Sequence, residues 1–221
     1  MKISNETLNI LKNYASINSN IVVLPGNTIK TISPSKSIFS EATISENFPI
    51  DFGIWDLNRF LSTISLFNDP DLDFTQNYVR ISSGNSKIDY YYSEKSLLTT
   101  INKKITMPTP TVSFKLSEKD FKEMSKVSAV LQAPDFAVVG EGNRMYVKIF
   151  NVKDDTANKY EFDLGANDLG KDFFALFKFE NIKIISGNYT VSISNKNLAE
   201  FSNDNCSIKY WIPLEMNSYW K

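Results

Sequence analysis

The chain of 221 residues contains no histidine and one cysteine, Cys206. Histidine carries most general acid–base work near neutral pH and most zinc and non-haem iron sites. A Ser-His-Asp triad, a Cys-His dyad and the usual zinc sites are therefore excluded. One cysteine also excludes an internal disulfide framework and fits a reducing compartment. Only eight glycines are present, and none form a phosphate-cradling or dinucleotide fingerprint. No run approaches 18 apolar residues, and the first residues lack the apolar stretch of a secretion signal. No charge sign dominates: 24 Lys and Arg stand against 25 Asp and Glu. Binding to nucleic acid through bulk attraction is not expected, and any basic surface must be local.

What is present is a core-forming composition, 42% apolar with 13% aromatic residues. That suffices for one large domain or two of about 100 residues. A pattern occurs twice. Ile3–Ile32 and Leu116–Ile149 each read as a capped amphipathic helix, a strand, a Gly-Asn turn and a second strand. VVLPGN (Val22–Asn27) matches VVGEGN (Val138–Asn143). Gly-Asn between apolar runs predicts a hairpin in both places. In the first half, strands over 37–44 and 50–54 lead into a helix over 57–67, followed by strands at 72–75, 78–82 and 87–92. In the second half, a strand over 159–164 leads into an apolar helix over 171–179, then strands at 188–194, 198–202 and 207–215. The polar segment 93–111, with Pro108 and Pro110, reads as a connector between a domain over 1–92 and another over 112–221. The fold class is α+β, two similar domains, each with two helices on antiparallel sheet.

Several stretches resemble the sliding clamps of T-even-type bacteriophages: LKNYASINSNI (Leu11–Ile21), IWDLNRFLSTISLFND (Ile54–Asp69), KVSAVLQ (Lys126–Gln132), GNYTVSI (Gly187–Ile193) and YWIPLE (Tyr210–Glu215). They follow the family's order along nearly the whole chain. The resemblance implies a DNA-clamp fold and a ring-forming homotrimer that encircles duplex DNA without reading its sequence. It implies a non-enzymatic tether for the DNA polymerase, loaded by an ATP-driven clamp loader, that also supports late transcription through late transcription factors. It implies no cofactor, no metal and no membrane, and a place in the cytoplasm of the infected bacterial host. Partner peptides are expected on an apolar site of the second domain near the connector.

The family's helices line the hole, so the free face of each expected helix is of interest. Lys12 lies with Asn5, Asn9 and Ser16 on the first, and Arg59 on the second. Lys119, Lys122 and Lys126 lie along one line of the third, and Lys171 and Lys178 on the fourth. These seven are the expected DNA-facing residues. Long basic side chains neutralise phosphates without trapping the duplex on base edges. On composition alone, such lysines are most often only solvated surface. Ser4, Asp56 and Ser117 read as N-caps, and Ser117 with Asp120 as a capping box. Glu6, Glu118, Asp168 and Asp172 are expected at helix starts.

Asp69, Asp71 and Asp73 lack the glycine and distal glutamate of a calcium loop and read as a turn. The aromatic run 90–92 is expected to split between two strand faces, and Cys206 to be a buried thiol. Two other classes stay open: a carboxylate-pair enzyme, and a β-rich phage structural or carbohydrate-binding protein.

Overall fold

The computed structural model describes residues 1–101 and 105–221. The chain divides into two compact units, Met1–Lys103 and Lys104–Lys221. That division falls inside the segment read as a connector, of which 102–104 lie outside the described residues.

Unit 1 runs α1 (Asn5–Ile17), β1 (Ile21–Val23), β2 (Gly26–Ile32), β3 (Phe39–Phe48), β4 (Phe52–Ile54), α2 (Leu57–Ser65), β5 (Asp71–Phe74), β6 (Tyr78–Ser83) and β7 (Ser86–Tyr91). β5, β6 and β7 form an antiparallel meander. The expected hairpin at Gly26–Asn27 does not form. β1 pairs with β4, and β2 with β3. Pro25 lacks an amide to donate, and Gly26, at φ +117°, turns the chain into a register shift before Thr28. The two helices pack against each other, and α1 lies across β2 and β3.

Unit 2 runs β8 (Val112–Leu116), α3 (Glu118–Leu131), β9 (Asp135–Glu141), β10 (Arg144–Phe150), β11 (Tyr160–Ala166), β12 (Phe173–Lys178), β13 (Tyr189–Ser194), β14 (Leu198–Asn203), β15 (Ile208–Pro213) and β16 (Tyr219–Trp220). Here the Gly-Asn hairpin does form: Glu141 pairs with Arg144, and Gly142 takes φ +54°. One sheet has the order β11-β10-β9-β12-β16, and β8, β13, β14 and β15 pair antiparallel in that spatial sequence reversed.

The helix expected over 171–179 is instead strand β12, inserted between β9 and β16. Its run of Phe173, Phe174, Ala175, Leu176 and Phe177 is apolar on both faces, because both faces of the sheet are covered. Phe173 stacks on Trp220 at 4.9 Å and Phe177 on Phe136 at 4.9 Å, while Leu176 joins Ala137, Val139, Tyr146 and Phe150 on the other side. A one-turn 3-10 helix, Phe179–Asn181, follows β12 where α2 follows β4. The second unit thus carries one α-helix where two were expected, and the described residues contain three.

Candidate nucleic-acid interface

Each helix starts on the cap its sequence indicates. Ser4 Oγ accepts from Thr7 N at 3.2 Å, Asp56 Oδ1 from Arg59 N at 2.9 Å, and Ser117 Oγ from Asp120 N at 3.1 Å. Ser117 also donates to Asp120 Oδ2 at 2.6 Å. On α1, Glu46 of β3 braces the cap: it accepts the Thr7 hydroxyl at 2.5 Å and the Ser4 amide. Partial burial pushes the Glu46 carboxyl up, but these hydrogen bonds outweigh it and hold it below the usual carboxylate range.

The free faces follow from the buried ones. α1 buries Thr7, Ile10, Leu11, Tyr14, Ala15 and Ile17, leaving Asn5, Asn9, Lys12 and Ser16 exposed. α2 buries Leu57, Phe60, Leu61 and Ile64, leaving Arg59 exposed. Trp55, just before the Asp56 cap, is 60% exposed, and Leu66, just after the helix, is 73% exposed. On α3, only Met124 is fully buried; Phe121, Ser128 and Leu131, expected in the core, are half-buried. Lys119, Lys122 and Lys126 lie exposed on the side away from Met124. Lys122 pairs with Glu118 one turn back, an exposed contact of little energetic weight. Lys12, Arg59, Lys119 and Lys126 form no ion pair with any described residue, so their charge is available to an outside anion.

Lys171 and Lys178 do not belong with these. Lys171 sits in the loop before β12, its carbonyl accepting from Asn167 Nδ2 at 3.0 Å. Lys178 ends β12 and pairs with Glu215 at 3.5 Å. Strand register places Lys178 with Leu176, Ala137, Lys148 and Glu161 on one sheet face. Tyr160, which contacts α3, lies on the other face. The expectation that these two lysines share a helical face is therefore corrected; an apolar run hid a strand. Asp168 and Asp172 likewise start no helix. Asp172 accepts from Gly142 N at 3.1 Å and pairs with Lys221 at 3.3 Å; both contacts, the amide first, hold its carboxyl below the usual range.

The side readings resolve simply. Asp69 is a left-handed turn residue at φ +49°, and no group of potential metal ligands occurs among the described residues. Tyr90 packs on Phe60 and Tyr92 on Phe52, while Tyr91 faces outward beside Tyr78. Cys206, expected buried, is half-buried.

One feature escaped the sequence reading. Val127, Val130 and Leu131 of α3 face Tyr160 of β11 across a groove of about 570 Å³, rimmed by Lys119, Lys122, Glu123 and Lys126. Its signal was available: Val127 and Val130 are apolar positions off the Met124 line.

Residues 4–107 match the family described as DNA polymerase processivity factor, and residues 113–216 match that described as gp45 sliding clamp, C terminal. The sliding clamp of Escherichia phage RB69 is 31% identical over 99% of this chain and 98% of its own. That of Enterobacteria phage T4 is 30% identical over the same shares. Among solved structures, the A. fulgidus PCNA bound to the C-terminal region of FEN-1 superposes with a TM-score of 0.70 over 96% of each chain at 10% identity. That likeness shows a shared fold.

Proposed function

The chain belongs to the sliding clamps, the non-enzymatic processivity factors of phage DNA polymerases, and from that premise we propose that three copies close into a ring around duplex DNA, with Lys12, Arg59, Lys119, Lys122 and Lys126 facing the phosphates. The observation that carries this reading is the line of lysines on α3, two of the three free of any described ion pair. Enclosure supplies persistence, so the contacts are individually weak: exposed ion pairs are worth about 0–1 kcal/mol, and phosphate contacts are screened by salt. This reconciles DNA association with a net charge of -1. An ATP-driven clamp loader opens the ring at primed sites, in the cytoplasm of the infected host. The loaded ring then serves late transcription factors as well as the polymerase.

The test replaces Lys119, Lys122 and Lys126 together with Glu. Loading on primed DNA should fall about tenfold or more at low salt, because every lost cation reduces counterion release. Assembly and melting temperature should stay near the parent's, since all three side chains are exposed. Unchanged loading would reduce these lysines to solvated surface.

A further inference from the structure

The groove beside α3 exists because the helix layer of unit 2 stops short. In unit 1, α1 lies across both β2 and β3, whereas α3 packs on β10. β11 is left uncovered: Tyr160 and Phe162, ring centroids 6.4 Å apart, share the α3 face and stay half-buried. Val130, on the opposing wall, is 73% exposed. β11 is also the outermost strand of its sheet, and its seven-residue far edge pairs with no strand among the described residues. An open strand edge beside an apolar groove is surface that calls for a cover.

Unit 1 carries a matching flank. β7 is the outermost strand of its three-stranded sheet, with its far edge likewise unpaired among the described residues. α2 lies over it: Phe60 and Tyr90 are 5.1 Å apart, and the Tyr90 hydroxyl donates to the Asp56 carbonyl at 3.3 Å. So this flank also has one helix layer and one strand layer, both ending in open apolar groups, Leu66 above and Tyr91 below. The acids Asp69, Asp71 and Asp73 follow Leu66, opposite in sign to the lysine rim of the groove.

We infer that the unit 2 groove is occupied by unit 1 of a second copy, with β7 laid along β11 and Leu66 seated against Val127 and Val130. The inference rests on the ring reading above and adds where its seam lies. Two unlike surfaces meet, so the contact is head-to-tail. It leaves one flank free on each end of a dimer and is satisfied only by a closed ring or an open filament. The acids after α2 steer one copy's flank towards the lysine rim of the next, which favours this pairing over two identical flanks meeting.

The experiment measures assembly mass against concentration by sedimentation for the parent, Leu66→Asp and Val130→Asp. Both side chains are mostly exposed, so each variant should keep the parent's circular dichroism. Each should raise the concentration needed for assembly by about tenfold or more. Mixing the two variants is decisive. The Leu66→Asp copy keeps a sound groove and the Val130→Asp copy a sound α2 flank, so the mixture should give a heterodimer that neither forms alone. A second measurement mixes Leu66→Cys with Val130→Cys, each made in a Cys206→Ser background, and expects an oxidised cross-linked dimer. A parent that stays monomeric at all concentrations would refute the ring itself. A parent that assembles, with variants that assemble equally well or a mixture that gives neither heterodimer nor cross-link, would leave the ring standing and overturn this seam.

Discussion

Tyr160 donates its hydroxyl hydrogen to Glu123 across 2.7 Å, tying the outermost strand of unit 2 to the middle of α3. The acceptor is a carboxylate, so the bond is charge-assisted, and it pushes the Tyr160 hydroxyl above its ordinary range. Tyr160→Phe keeps the ring and removes this one link. The loss of about 1 kcal/mol should appear locally, as roughly fivefold faster amide exchange along 160–166. Exchange in β9 and β10 should hardly change. An equal rise across the whole sheet, or none anywhere, would show that the bond does not fasten β11.

The two lysines removed from the interface make a contrasting case. Lys178 lies on the sheet face away from α3 and is already paired with Glu215. Lys178→Ala should leave loading on primed DNA within about twofold of the parent, as expected for an exposed ion pair remote from phosphate. The same should hold for Lys171→Ala. A loss from either variant comparable to that of the α3 triple replacement would return these residues to the DNA.

Acid should loosen the start of α1 through Glu46. Its carboxyl is held below the ordinary range in the folded chain, so the unfolded chain takes up the proton first. The stability it contributes is therefore complete above the unfolded value of about 4.3 and is lost as pH falls through the lower folded one. Glu46→Gln should cost about 1–2 kcal/mol at pH 7. The difference from the parent should close as the pH drops below about 4. Melting curves for both proteins across that window measure it; a gap that stays constant with pH would mean that charge is not what braces the cap.

Gly140 sits where β9 passes under β12. A Cβ built there would come within 2.2 Å of the Phe173 ring and 3.0 Å of Asn167 Nδ2. Phe173 is fully buried and stacked on Trp220, so it has nowhere to move. Gly140→Ala should destabilise the protein by about 3 kcal/mol, the range for overpacking a finished core. Chemical denaturation measures this directly, and a cost below about 1 kcal/mol would show that the ring does yield.

How much the sequence disclosed depended on whether an element had one buried face or two. α2 was legible because Asp56 caps it and Leu57, Phe60, Leu61 and Ile64 fall on one side, all four of them buried. β12 was not, because burial on both faces erases alternation and leaves an apolar run that fits helix or strand equally. Lys171 and Lys178 inherited that error. β8 and β16 went unread, one short and abutting a helix cap, the other only two residues long. α3 failed differently. Its period identified the core side, but a period cannot reveal how far the sheet beneath extends. Phe121, Ser128 and Leu131 were therefore assigned to a deeper core than α3 has, and the groove beside Tyr160 went unnoticed. Of the five basic residues retained, all were visible as positions on helical faces before any coordinates, because caps and apolar stripes fix helix phase.

Trp55 has a use that its position on the turn before α2 makes available. It stands mostly in water on a short segment fixed by β4 on one side and the Asp56 cap on the other. The other two tryptophans are enclosed: Trp211 is buried, and Trp220 is stacked on Phe173. The chain thus has one indole whose fluorescence answers to the surroundings and two that form a steady background. Excitation at the red edge of the absorption band selects the hydrated one. Whatever comes to rest on this turn will announce itself as a blue shift, with no dye attached and no residue changed.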